Sequence, residues 1–334
     1  MPHSFFQEIF MKIKSLLLGL AALSLFSFNL SAQDSDPLTF SISTDFAYYP
    51  KSDYIKGDTH FAPLTGAYSG LEGRVTGDMN YKINTPLGEN WLLADANIVL
   101  GASLEVSPVS VRPGVSIEFT PLPFLVFSTG ASIGTGWNLA GLQGMAYLDF
   151  DTKENKLVYT DYTPFKTWFV KWYGQGTFQF DTGAIIAGDW THVQFMYTYQ
   201  INYEGLTSAN KDDIWMWQCS GNKANGWCNY QNIILAYQMP LILSRIGVLT
   251  EFSGHYSDSD FVNENYKGSF KSISISPLAQ FTFGEHDSVS ALLGFSSRRS
   301  FEEEHEESIY EPALTYSGRE WFFNRIALSW THTF

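Results

Sequence analysis

The chain has 334 residues, 45% of them hydrophobic and 16% aromatic, with a formal charge of −14. An acidic balance of this size argues against nucleic acid and anionic lipid surfaces as partners. No run of 18 consecutive apolar residues occurs, which excludes a helical membrane span.

Residues 1–32 read as a leader with its expected start at Met11. Lys12 and Lys14 form the positive n-region, Leu16 to Phe28 the apolar core, and Leu30-Ser31-Ala32 a small-residue cleavage site. Without Lys12, Lys14 and Glu8, the remaining chain from Gln33 carries 18 basic and 33 acidic residues, a charge of −15. Residues 33–334 show no linker and no long segment of helical period, and read as one domain.

Twelve alternating segments follow: 37–49, 71–84, 91–105, 109–120, 124–137, 165–180, 191–204, 230–239, 243–256, 269–283, 288–299 and 320–334. Many exceed the five or six residues of an ordinary strand and match the ~9–11 that a tilted strand needs to cross a bilayer. The connections after even-numbered segments are short (85–90, 121–123, 181–189, 240–242, 284–287). Those after odd-numbered segments are mostly long (50–70, 138–164, 205–229, 257–268, 300–319), with the VSP turn near 106–108 as the exception. Short turns at one rim and long loops at the other predict an all-β, up-and-down transmembrane antiparallel barrel of about twelve strands.

The alternation within strands points the same way. Val193, Phe195, Tyr197, Tyr199, Ile201 and Tyr203 alternate with Gln194, Met196, Thr198, Gln200 and Asn202. Leu71, Val75, Met79, Tyr81 and Ile83 alternate with Glu72, Arg74, Thr76, Asp78, Asn80 and Lys82. Only lipid makes an apolar outside and a polar inside the stable arrangement. Aromatics gather at both strand ends: Trp91, Phe124, Trp190, Phe283 and Phe334 at the short-turn rim, Tyr48, Trp137, Trp168, Tyr203 and Tyr256 towards the other. Pro113 and Pro277 fall inside strands that must pair on both sides, which predicts bulges or displaced boundaries there.

The chain ends RIALSWTHTF. Ile326, Leu328, Trp330 and Phe334 occupy alternate positions up to a terminal Phe, with His332 where an aromatic or aliphatic residue is commoner. This tail resembles the C-terminal insertion signal of Gram-negative outer-membrane β-barrel proteins. The resemblance extends over the whole chain after the leader at the level of class. It implies the outer membrane as location, outer-membrane lipid as surroundings and the barrel-assembly machinery as a partner.

Alternation places seven basic and seven acidic side chains in the lumen. The basic set is Arg74, Lys82, Arg112, Lys171, Arg245, Arg298 and Arg325. The acidic set is Glu72, Asp78, Asp95, Glu105, Glu118, Glu204 and Glu251. Such balance suits either a lumen closed by ion pairs or a narrow, weakly selective pore. Cys219 and Cys228 lie close together in a polar segment. In an exported chain they read as one disulfide, contributing roughly 3 kcal/mol at most across so short a loop. No metal or cofactor site is expected: no His adjoins the cysteines, and Glu302, Glu303, Glu304, Glu306 and Glu307 match no calcium motif and read as a solvated loop. Trp215, Trp217 and Trp227 in the 205–229 loop are expected to pack over the barrel mouth or to meet a ligand. Residues 143–161 read as a hairpin around a Lys-Glu-Asn turn. His255 and Glu251, four apart on one strand, and His192 are the only candidates for a catalytic base or its orienter, and no nucleophile accompanies them. The first expectation is a narrow pore for small polar solutes or ions. The alternative is a plugged barrel whose loops bind something outside the cell, with a hydrolase third.

Overall fold

The structure is a computed structural model that describes residues 37–90, 92–151, 156–210, 213–304 and 311–334. The leader, Trp91, the 153–155 turn, Glu306 and Glu307 lie outside the described residues. All twelve expected strands form: β1 (Leu38–Lys51), β2 (Gly66–Asn84), β3 (Asn97–Ser107), β4 (Ser110–Leu122), β5 (Leu125–Gly136), β6 (Phe169–Asp181), β7 (Val193–Leu206), β8 (Gly226–Gln238), β9 (Leu243–His255), β10 (Ser272–Phe283), β11 (Asp287–Phe301) and β12 (Tyr316–Thr333). Each is antiparallel to its chain neighbours, and β12 closes on β1 from Thr333 opposite Ser41 to Ile326 opposite Tyr48. Closure leaves no edge to satisfy, which is what a hydrocarbon surrounding demands.

The faces follow the sequence. On β7, Val193, Tyr199 and Ile201 are exposed, whereas Gln194, Met196, Thr198 and Asn202 are buried. In the tail, Ile326, Leu328, Trp330 and Phe334 all point outward, and the Phe334 N–H donates to Phe40 O at 2.9 Å. The Asp287 carboxylate accepts from Trp330 Nε1 and lies 3.0 Å from His332 Nδ1, so the unusual histidine is held at the short-turn rim. At the opposite rim Trp227 packs edge-on against Trp172 and Tyr203. An apolar band between aromatic girdles, enclosing a polar interior, makes this a transmembrane barrel of the up-and-down type.

Three expectations need correction. Pro113 and Pro277 produce no bulge. β4 pairs with β5, and β10 with β11, in the same register on either side of each proline, and the ladder simply skips the step that lacks an N–H. The strand expected from 91 begins at Asn97. Asn90 accepts the Leu93 and Ala94 N–H groups and caps Leu92 with its side chain, so the apolar pair Leu92-Leu93 belongs to a turn. Asp95 therefore lies exposed in that turn and not in the lumen. Third, Cys219 and Cys228 are free thiols, as taken up below.

The interior is unequal. Met196, Ile234, Leu249, Leu278, Leu292 and Ala327, with Ala47 and Tyr49, form one buried apolar cluster against the β7–β12 wall. The β2–β6 wall instead presents Ser103, Gly114, Ser116 and Ser132 to the interior, flanked by Gly101. Bulk on one side and small polar residues on the other displace the free space towards β2–β6.

Candidate functional site: the lumen and its lid

The long loop between β7 and β8 folds back over the mouth. Trp215–Trp217 and Ser220–Lys223 form a hairpin that joins the expected hairpin Met145–Asp151/Lys156–Asp161 in a four-stranded cap. Gln218 and Cys219 at its tip have φ of 49° and 63°. This is the geometry of a type I′ turn, which favours Asn-Gly. The tip departs from that preference because its side chain makes contacts. Gln218 Nε2 donates to Glu105 Oε1 at 2.8 Å and to Ser110 Oγ at 2.9 Å. Behind it Trp217 stacks on Phe169 with centroids 4.5 Å apart. Gly134 makes that seat: a Cβ there would meet Trp217 at 2.7 Å. At the hinge, Asn225 Oδ1 accepts from the Leu206 N–H and from Trp215 Nε1. The hairpin thus spans from β7–β8 to the low rim at the short β3–β4 turn.

Beneath the tip lies a layer of paired charges. Arg74 Nε donates to Asp45 Oδ2 at 2.8 Å, and Arg74 Nη1 lies 3.4 Å from Glu105 Oε2. Arg112 Nη2 reaches the same oxygen at 2.7 Å. Across the lumen, Glu204 lies 2.9 Å from Lys171 Nζ and 3.6 Å from Lys223 Nζ of the hairpin. These groups enclose a cavity of about 350 Å³ that continues down the β2–β6 wall past Asp78 and Asn80. Glu118 and Lys82 continue the polar wall towards the short-turn rim, half-buried and exposed respectively.

Of the remaining expected lumen charges, Glu72 accepts from Tyr49 Oη at 2.5 Å and Arg245 donates to Gln280 at 2.9 Å. Glu251 accepts from Tyr230 Oη at 2.7 Å and faces Arg325. Arg298 lies higher on β11, where it pairs with Glu320 of β12 between the rings of Tyr54 and Phe322. Sequence reasoning missed Asp45, Lys223 and Glu320. Asp45 was available, since it alternates in phase with Ser41 and Ser43. Glu320 was hidden by a break in the β11–β12 register near Asn324, which reverses the inward parity above it. Lys223 is brought in by the loop.

Glu251 and His255 are not brought together as base and orienter: His255 Nδ1 pairs with Asp260 at 2.8 Å, and His192 with Asp181 at 3.1 Å. The expected disulfide is absent because the two cysteines sit on different structures. Cys219 is at the hairpin tip, its N–H donating to Gln143 O, whereas Cys228 is on β8 opposite His255. The strand Ser220–Lys223 lies between them in the chain, and neither cysteine is bonded to the other. Burial and the neighbouring Glu72 charge push the Cys219 thiol up to about 11. In the outer loops, the Thr315 N–H holds the Glu303 carboxyl below its usual range, and Glu304 pairs with Lys56 at 3.0 Å.

Fold and lumen define the class: an outer-membrane-type β-barrel, closed, with a lidded polar interior. No protein-family model matches the chain, and no curated protein matches it. Similar solved structures include an outer membrane channel from Pseudomonas putida F1, at 9% identity over 90% of this chain and 97% of that one, TM-score 0.45. Others are the β-domain of the Bordetella autotransporter BrkA (8% identity, 89% and 99% covered, TM-score 0.40) and the outer membrane channel DcaP of Acinetobacter baumannii (11%, 89% and 96%, TM-score 0.33).

Proposed function

We propose that the protein is a narrow pore in the outer membrane of a Gram-negative bacterium. It passes small polar solutes or ions along the β2–β6 wall, and the Trp215–Lys223 hairpin is its outer gate. The observation that carries this reading is the cavity of about 350 Å³ between a Ser/Gly-lined wall and an apolar filling, directly under a hairpin. Opposite charges alternate around it, so discrimination between small cations and anions is weak. In this reading the leader is removed near Ala32, and the barrel-assembly machinery takes up the tail through Ile326, Leu328, Trp330 and Phe334. Osmotic swelling of liposomes carrying the refolded chain tests it. Swelling in small neutral solutes, slowed by tethering the hairpin to β4, is the expected result; folded, inserted protein that gives none refutes it.

The second reading is a plugged barrel that displays its loops. It is favoured by the burial of Trp215 and Trp217, which are 0% and 3% exposed. A lid so held opens rarely, and in this reading never.

A further inference from the structure

The charges along the β2–β6 path divide into those fixed in the wall and one carried by the lid. Arg74 and Arg112 sit on Asp45 and Glu105, two cations on two carboxylates of barrel strands. Glu204 is shared by two lysines, Lys171 of β6 at 2.9 Å and Lys223 at 3.6 Å. Lys223 belongs to the hairpin strand Ser220–Lys223 and lies over the Trp215 ring. It therefore enters the lumen with the lid and leaves with it.

Asp78 is the exception among the carboxylates of this cavity. It lines the wall half-buried, and it forms neither an ion pair nor a side-chain hydrogen bond among the described residues. It stands in one register row with Ser103, Gly114 and Ser132 of the neighbouring strands, with Lys171 at the far end of that row. Side chains this small leave the space beside Asp78 open, so its carboxylate faces the cavity. Towards the short-turn rim Glu118 and Lys82 share another row, two strands apart with Val99 between them, and offset each other.

The lid thus carries the balancing charge. With the hairpin seated, four carboxylates face four cations around the cavity. With it lifted, Lys223 is gone, Glu204 keeps Lys171, and Asp78 is left without a counter-charge. A carboxylate in a narrow lumen attracts cations and repels anions, because walls of low dielectric focus its field. We infer that Asp78 sets the ion preference of the open pore, which passes small monovalent cations ahead of anions. The inference deepens the pore reading and rests on it for the lifted hairpin; it gives the weak discrimination a sign.

Reversal potentials in a potassium chloride gradient test it, on the refolded Gln218→Ala chain in planar bilayers. A unit charge ~8 Å from the passing ion gives a potassium-to-chloride permeability ratio of about 2–4, higher at ~0.01 M than at ~0.1 M salt. Asp78→Asn should abolish the preference. Glu302→Gln, which removes a carboxylate from the exposed outer loop, should leave it unchanged. An anion preference, no preference, or the parental ratio in folded Asp78→Asn overturns the inference. A second readout needs entry without passage. In the same chain with Cys219→Ser and Cys228→Ser, Ser103→Cys puts a thiol opposite Asp78 in the register. A cationic methanethiosulfonate should label it about 2- to 4-fold faster than an anionic one, each relative to its rate on a free thiol, and Asp78→Asn should remove the difference. Equal relative rates, or no labelling at all, overturn the inference. A silent bilayer with the biased labelling would instead fault the pore reading and leave the role of Asp78 standing.

Discussion

Releasing the lid is the perturbation that separates a gate from a permanent plug. Gln218→Ala removes one hydrogen bond to a carboxylate and one to a hydroxyl, at 2.8 and 2.9 Å. Together these hold the hairpin by about 2–3 kcal/mol, a shift of about 30- to 150-fold in the open-to-closed ratio. Glu105 stays compensated by Arg74 and Arg112, so the barrel wall itself should not suffer. Cys219 reports the change, with Cys228→Ser making it the sole thiol. In the closed lid its pKa is pushed up to about 11. At pH 8 its thiolate fraction is then about one in a thousand, against about a quarter for a free thiol, which allows a rate gain of up to about 200-fold on opening. A membrane-impermeant maleimide added to the long-loop side should label Gln218→Ala at least about 30-fold faster than the parent. Equal labelling rates in two folded proteins would refute the assignment of Gln218 as the latch.

Other consequences are as direct. Gly134→Val places side-chain atoms where Trp217 sits and should speed Cys219 labelling in the same assay, through displacement of the ring; unchanged labelling would contradict the seat. Leu249→Ala, in a fully buried site of the apolar filling, should lower stability to urea by about 2–5 kcal/mol. Arg74→Met leaves Asp45 and Glu105 buried with reduced compensation and should cost about 3–5 kcal/mol, much of it recovered in the double variant with Asp45→Asn; no recovery would contradict the pairing. Asp258 accepts the Ser269 N–H at 2.7 Å, which holds its carboxyl below the usual range. Its contribution is therefore full above the unfolded-state pKa and lost as pH falls through the folded one. Once the intrinsic base-catalysed rate is divided out, amide protection in the 256–271 loop should fall there and stay level between pH 6 and 8.

The strand plan was legible because the bilayer imposes a period of two on every crossing, and twelve of twelve expected strands form. The same parity also gives Asp45, which the expected lumen set left out. Parity failed only where the backbone breaks it, at the irregularity near Asn324 that turns Glu320 inward, and at the Asn90 turn that removes Asp95. Of the three tryptophans expected over the mouth, Trp215 and Trp217 are in the lid, whereas Trp227 faces outward on β8. The depth of the lid was not legible, because it depends on Gln218 reaching Glu105, residues 113 positions apart. The cysteines misled for the same reason: nine positions of sequence hide a strand that crosses the mouth.

In the pore reading, solutes run along the β2–β6 wall. Single-channel conductance of the refolded chain in a planar bilayer, compared with Ser116→Trp, tests it most directly. Ser116 lines the cavity of about 350 Å³ opposite the apolar filling, so an indole there should block most of it. Stepwise current in the parent, reduced severalfold in the folded variant and with weak ion selectivity, is the predicted result. A silent parent, or identical current in both proteins, would contradict the account.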